Sequence, residues 1–267
     1  MQLFKNRTHH LPDNFITMKR ILFSLFAASA LFLTGCLETT QEITLKEDGT
    51  GTYVYTNDMG KVLGILKNMG VPGMENLPAK PKDTTVALGT DEAVVAALSA
   101  EDRELVKKGS LRVNMDMAEE KFISATSFGF SSLSEIPRFN KLTGNVLLET
   151  LKGQAGGNMP MGMDQMPEPS SFDDYYTLEF EKGELKKKLN KEKYAGVAND
   201  QFLTQLQEAA AMGIPITHTY IINLPKPAEK LEGKNAKLSE DKMKVTVTST
   251  IDDFFDNPEN LEFKVKY

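Results

Sequence analysis

Ile43-Thr44-Leu45-Lys46-Glu47-Asp48-Gly49-Thr50-Gly51-Thr52-Tyr53 is the stretch whose reading decides the fold class. Ile43 and Leu45 before the turn, and Tyr53 and Tyr55 after it, recur at a spacing of two. Residues 42–46 and 52–56 therefore read as strands with one apolar face. The joining segment, residues 47–51, supplies the Asp, Thr and two Gly of a hairpin turn. The pattern returns twice. Leu111, Val113, Met115 and Met117 alternate with Arg112, Asn114 and Asp116, and residues 122–130 pair back across 118–121. Residues 175–181 and 184–188 form a third hairpin through Lys182-Gly183.

Helices separate these hairpins. Asn57-Asp58 caps one carrying Met59, Val62, Leu63, Leu66 and Met69 at helical spacing, with Gly70 as its stop. Residues 71–83 read as loop, 91–98 and 100–108 as short helices, and Ser99 caps the second of these. Residues 134–151 make a longer helix with Ile136, Phe139, Leu142, Val146 and Leu147 inward. Asn199 caps a helix with Phe202, Leu203, Leu206 and Ala210 inward, ended by Gly213. The tail reads as strands at 216–224, 236–238, 243–250 and 261–267, with a helical turn at 252–255. The pattern predicts an α+β fold, an antiparallel sheet built from hairpins with helices packed on one face.

The N-terminus carries an address. Met18-Lys19-Arg20 precedes residues 21–33, a run without charge, and then Leu33-Thr34-Gly35-Cys36. A short cationic start, an apolar run and small residues before a cut site describe a secretory signal peptide, and the run is too short to span a bilayer. Residues 1–17 precede a start already complete at Met18, so Met18 is the expected initiator and residues 1–35 the signal peptide. Leu33, Thr34 and Gly35 before Cys36 resemble the lipobox of bacterial lipoproteins. That resemblance implies a diacylglycerol on the Cys36 sulfur and an acylated amine, which together anchor a protein stably. Removal of the first 35 residues leaves 232 of 267, with 27 basic and 36 acidic side chains. Lipid chains, not charge, would then hold the body at an anionic surface. Leu37 is not the Asp that retains enterobacterial lipoproteins at the inner membrane, so the outer membrane is favoured.

Residues 36–38 leading into 43–53, and Thr219-Tyr220-Ile221-Ile222-Asn223-Leu224-Pro225 with residues 242–250, resemble LppM-type lipoproteins of actinobacteria and uncharacterised lipoproteins of Bacteroidetes. The resemblance implies a lipid-anchored α+β module that binds lipid or glycolipid, and it transfers no catalytic residue. The expected organisation is a lipidated half, 36–151, a Gly/Pro/Met-rich loop, 152–172, and a second α+β half, 173–267, packed with the first.

Composition excludes several chemistries. One Cys makes neither an internal disulfide nor a Cys-rich zinc site, and three His leave little for imidazole-built metal centres. A net charge of −6 is no nucleic-acid footprint. No G-x-S-x-G, H-E-x-x-H or phosphate-binding glycine loop occurs. His218 reads as a structural strand residue, Lys186-Lys187-Lys188 as a solvated face, Asp173-Asp174 as turn chemistry. Asp252, Asp253, Asp256 and Glu259 lack EF-hand spacing, and Thr250 and Asp252 read as helix caps. Met159, Met161, Met163 and Met166 place four thioethers in eight residues, a soft donor set for Cu(I).

The expectation is a non-enzymatic envelope lipoprotein without a cofactor, held to the membrane through Cys36. It would bind an amphipathic ligand between sheet and helices, or an envelope partner. Two other readings stay open: Cu(I) or Ag(I) handling by the Met-rich loop, and a hydrolase whose carboxylates carry no motif.

Overall fold

The stretch at 43–53 does close into a hairpin: β1 (Leu37–Leu45) and β2 (Gly51–Asp58) pair antiparallel with Ile43 opposite Tyr53. The computed structural model describes residues 37–68, 70, 80–90, 95–96, 98–154, 170–181 and 183–267. The signal segment with Leu33, Thr34, Gly35 and Cys36, most of the helix expected at 91–98, and Met159, Met161, Met163 and Met166 lie outside the described residues.

The turn explains its own sequence. Asp48 Oδ1 accepts from Thr50 N at 3.0 Å and Thr50 Oγ1 at 2.8 Å, and these bonds hold the Asp48 carboxyl below its ordinary value. Gly49 takes φ +82°, the left-handed region glycine enters without penalty. At Gly51 the constraint is space: an added Cβ would lie 2.0 Å from the Thr44 carbonyl oxygen and 2.7 Å from Phe130 Cζ. Gly51→Ala is expected to cost about 1–3 kcal/mol, because the obstructing oxygen belongs to the strand ladder and cannot swing aside. Thermal unfolding checks this, and a variant as stable as the parent would refute it.

Further strands widen the sheet. These are β3 (Lys82–Ala87), β4 (Gly109–Asp116), β5 (Lys121–Phe130), β8 (Ile216–Asn223), β10 (Ala236–Leu238) and β11 (Lys244–Thr250). The order is β10-β11-β8-β1-β2-β5-β4-β3. One expectation needs correction: the sheet is mixed rather than antiparallel, because β1 runs parallel to β8 with Leu37 opposite Ile216 and Ile43 opposite Ile222. Hairpins pair only sequence neighbours, whereas a parallel pair needs a long crossover. β3 is a second correction, since its β-branched Thr84-Thr85-Val86 begins at the edge of the segment read as loop.

One face of this sheet is covered by two different layers. Over β2, β4 and β5 lie α1 (Ala100–Lys107, capped by Ser99) and α2 (Glu135–Gln154), where Phe139 stacks on Phe128 at 3.9 Å and Asn140 Nδ2 donates to Tyr53 Oη at 2.7 Å. Arg138 ties the two helices through Glu101 and Asp102. α2 runs to Gln154, past the expected end at Leu151. Over β1, β8 and β11 the cover is not helix but a second sheet, β6-β7-β12-β9, formed by β6 (Tyr176–Glu181), β7 (Glu184–Leu189), β12 (Phe263–Lys266) and β9 (Lys230–Glu232). Its Leu185, Phe263 and Val265 join Ile43, Tyr220, Ile222 and Val245 in one core, each at most 3% exposed. Burial of each such side chain contributes roughly 1.5–3 kcal/mol.

A smaller apolar cluster closes one end. α3 (Gln201–Ala211) and α4 (Ile251–Asp256) pack Leu203, Ile251 and Phe254 against Phe172 and Ile216. The cap of α3 is Asp200, one residue beyond the expected Asn199: its Oδ1 accepts from Leu203 N at 3.0 Å. Thr250 and Asp253 form a reciprocal capping box at α4. On the opposite face of the large sheet Thr40, Thr56, Thr219 and Thr246 alternate with the core positions, and no residue on that face is fully buried among the described residues.

Candidate functional site: a polar cluster between the sheets

Strand alternation brings polar side chains into the same layer as the apolar core. β1 sends Thr39 and Gln41 inward beside Ile43; β8 sends His218 and Tyr220 inward between Ile216 and Ile222. β11 adds Ser249, and β7 adds Lys187 beside Leu185. Facing them is a 3-10 turn, Phe172–Tyr175. Ser171 holds that turn, its Oγ accepting from Asp173 N at 3.3 Å while its N donates to Asp174 Oδ2 at 2.8 Å. Burial raises the Asp174 carboxyl above its ordinary value.

Lys187 is the centre of the cluster. It is 3% exposed, its Nζ donates to Asp173 Oδ1, and it lies 4.2 Å from the Tyr220 ring centroid and 4.7 Å from that of Tyr176. The carboxylate and two π faces together replace the water that an ammonium loses on burial. Gln41 Nε2 donates to Ser171 Oγ at 3.1 Å, joining β1 to the turn. His218 is 4% exposed; its Nδ1 stands 2.6 Å from Thr39 Oγ1, and Phe172 meets its ring edge-on at 5.3 Å. Burial lowers its pKa to about 4; the Asp173 charge opposes that shift and Lys187 reinforces it. His218 Nε2 and Asp173 Oδ2 have no hydrogen-bond partner among the described residues. Burial, with the charge of Asp173, keeps the Tyr220 phenol protonated.

Three sequence readings change here. The Lys186–Lys188 run is not one solvated face: Lys186 pairs with Glu184 at 2.6 Å, Lys188 is exposed, and Lys187 points into the core. Asp174 does serve the turn, but Asp173 carries the buried ion pair. His218 lies in its strand as expected, buried, held by Thr39 and packed by Phe172. The missed signal was the spacing of Leu185, Lys187 and Leu189, which puts the lysine on the apolar side of its strand.

Such an arrangement suits registration of the two sheets. Only one placement of β7 over β8 sets Lys187 between Tyr220 and Asp173, and sliding by one residue would turn the lysine away. General acid–base work would need reach to a substrate proton, and Lys187, His218 and Ser249 are 3–4% exposed. A shallow groove of about 210 Å³ opens elsewhere, between the end of α3 and the start of α4, lined by Ala210, Gly213, Pro215, Ile216 and Ile251. Among the described residues no three His, Cys, Asp or Glu side chains gather as a metal site. No described helix is long and apolar enough to cross a membrane.

Fold and site together define a two-sheet α/β body with a buried lysine paired to Asp173 between the sheets. No protein-family model and no curated protein matches the chain. Among solved structures, the folded domain of LppM from Mycobacterium tuberculosis, determined by NMR, is similar over 88% of this chain and 91% of that one. The two share 12% identity at a TM-score of 0.35, a likeness too slight to carry an argument.

Proposed function

We propose that this chain is a cell-envelope lipoprotein, exported by its N-terminal segment and anchored through an acylated Cys36, with a non-enzymatic α/β body that engages an amphipathic ligand or an envelope partner at the membrane surface. The observation that carries the reading is the run of residues 21–33 without charge, ending in Leu33-Thr34-Gly35-Cys36. Two or three acyl chains give stable attachment where one would not. The body's design is consistent with binding at its surface: the layer between its sheets is filled by Ile43, Leu185, Ile222, Val245 and Val265, all 0% exposed. The outer membrane is the favoured address, since Leu37 follows the cysteine.

Expression of the full chain in a Gram-negative host tests the proposal. The mature protein should fractionate with membranes and carry diacylglycerol mass on its N-terminal peptide. Cys36→Ser should leave the signal segment attached and remove that mass. A mature protein whose Cys36 bears no acyl group would overturn the reading.

A further inference from the structure

We infer that the turn joining α3 to β8, residues 211–215 with Met212 at its tip, inserts into the bilayer surface that holds Cys36; the inference rests on the acylation proposed above. Leu37 N donates to Pro215 O at 3.1 Å, and Leu37 stands opposite Ile216 in the parallel ladder. Cys36 is the next residue, its Cα about 3.8 Å from that of Leu37 by covalent geometry. Acyl chains leaving Cys36 therefore enter the bilayer within about one residue's length of Pro215. β1 begins at Leu37, so no spacer lets the body rise from the surface.

The turn at that place has the chemistry of an insertion loop. Residues 211–215, Ala-Met-Gly-Ile-Pro, contain no charge, and they project from an apolar base of Ala209, Ala210 and Ile216 that packs in the core. α3 ends in a Schellman motif: Gly213 takes φ +92°, Gly213 N donates to Ala210 O at 2.9 Å, and Ile214 N donates to Ala209 O at 3.1 Å. Those bonds satisfy the Ala209 and Ala210 carbonyls within the turn, which lowers the cost of carrying its apolar tip into a less polar layer. Met212 is 77% exposed, against 47% for Val86 and 38% for Ile65, the other exposed large apolar residues among those described. The groove beside it adds Ala210, Pro215 and Ile251 to the apolar surface, and Thr217, Thr250 and Asp252 also line it. Glu208 and Asp252 flank it, so attraction to anionic headgroups is not what seats the turn; apolar insertion to a depth of about 5–10 Å is.

Depth-dependent quenching tests the seat on the full acylated protein in phosphatidylethanolamine–phosphatidylglycerol vesicles. Acylation leaves Cys36 no free thiol, so Met212→Cys and Lys46→Cys each give a single labelling position. Position 46 follows the far end of β1, about 26 Å from Leu37 at strand rise. A fluorophore at 212 should be quenched by lipid-borne nitroxide at least about twofold more than one at 46. Equal quenching at the two positions on a protein whose Cys36 carries acyl mass would overturn the seat and leave the anchor intact. Absence of acyl mass would overturn both.

Discussion

Asp173→Ala is expected to destabilise the folded body by about 3–5 kcal/mol, in urea unfolding of the non-acylated mature chain. Lys187 is 3% exposed and its ammonium has one described carboxylate partner, Asp173. Truncation of the acid leaves a cation in a layer that the Tyr176 and Tyr220 rings stabilise only in part. The lysine must then lose its proton or the small sheet must open, and either response costs free energy. The pair itself is a different quantity. Lys187→Met with Asp173→Leu removes both charges from an interior already rich in apolar side chains, and it is expected to return most of the lost stability. A double-mutant cycle separates the coupling from the burial penalty. An Asp173→Ala variant within about 1 kcal/mol of the parent would show that the ammonium reaches water, contrary to the packing described.

How far the sequence reveals this body depends on the range of each contact. The three hairpins are legible because pairs such as Ile43 and Tyr53 are joined by a short Gly-rich turn, so alternation and turn chemistry coincide. Helix ends are legible for the same local reason: Ser99 and Gly213 bond partners three residues away, Asp102 and Ala210. The β1–β8 pairing is not legible. Thr39 and His218 meet across 179 residues, and nothing in either strand's alternation names the other. The layer covering β1 and β8 was read as helix because helices dominate the segments between hairpins; β12, at the end of the chain, completes a sheet there instead. The polar cluster falls between the two cases. Leu185-Lys186-Lys187-Lys188-Leu189 states in its period of two that Lys187 faces inward, and a buried lysine calls for a carboxylate. Which carboxylate answers is set by the packing of the turn at Asp173 against β7, a tertiary fact.

His218 gives the body an acid limit that begins above the carboxylate range. Its folded pKa is lowered by burial to about 4 from 6.5. Above pH 6.5 the imidazole is neutral in both states and contributes no pH dependence. Between about 6.5 and 4 the unfolded chain takes up a proton that the folded one refuses, so stability is full above that window and falls as pH drops through it. The full loss is about 3 kcal/mol, with a limiting slope of about 1.4 kcal/mol per pH unit. The groups facing His218 do not mask this. The Tyr220 phenol, raised by burial, does not titrate there, and the other groups facing His218 are the Lys187 ammonium and the Asp173 carboxylate of the ion pair. Asp174 runs the other way: its carboxyl is raised by burial, so the folded state protonates first and recovers some stability just above pH 3.8. The imidazolium is poorly received because Nε2 has no hydrogen-bond partner among the described residues. His218→Leu leaves Thr39 Oγ1 without its imidazole partner, a constant cost at every pH, but removes the titrating group. The readout is therefore the slope and not the absolute stability. Urea unfolding at half-unit steps from pH 7 to 4.5 should show the parent losing stability steadily while the variant stays nearly flat. A parent curve level down to pH 5, or a variant curve as steep as the parent's, would place the proton uptake on another group.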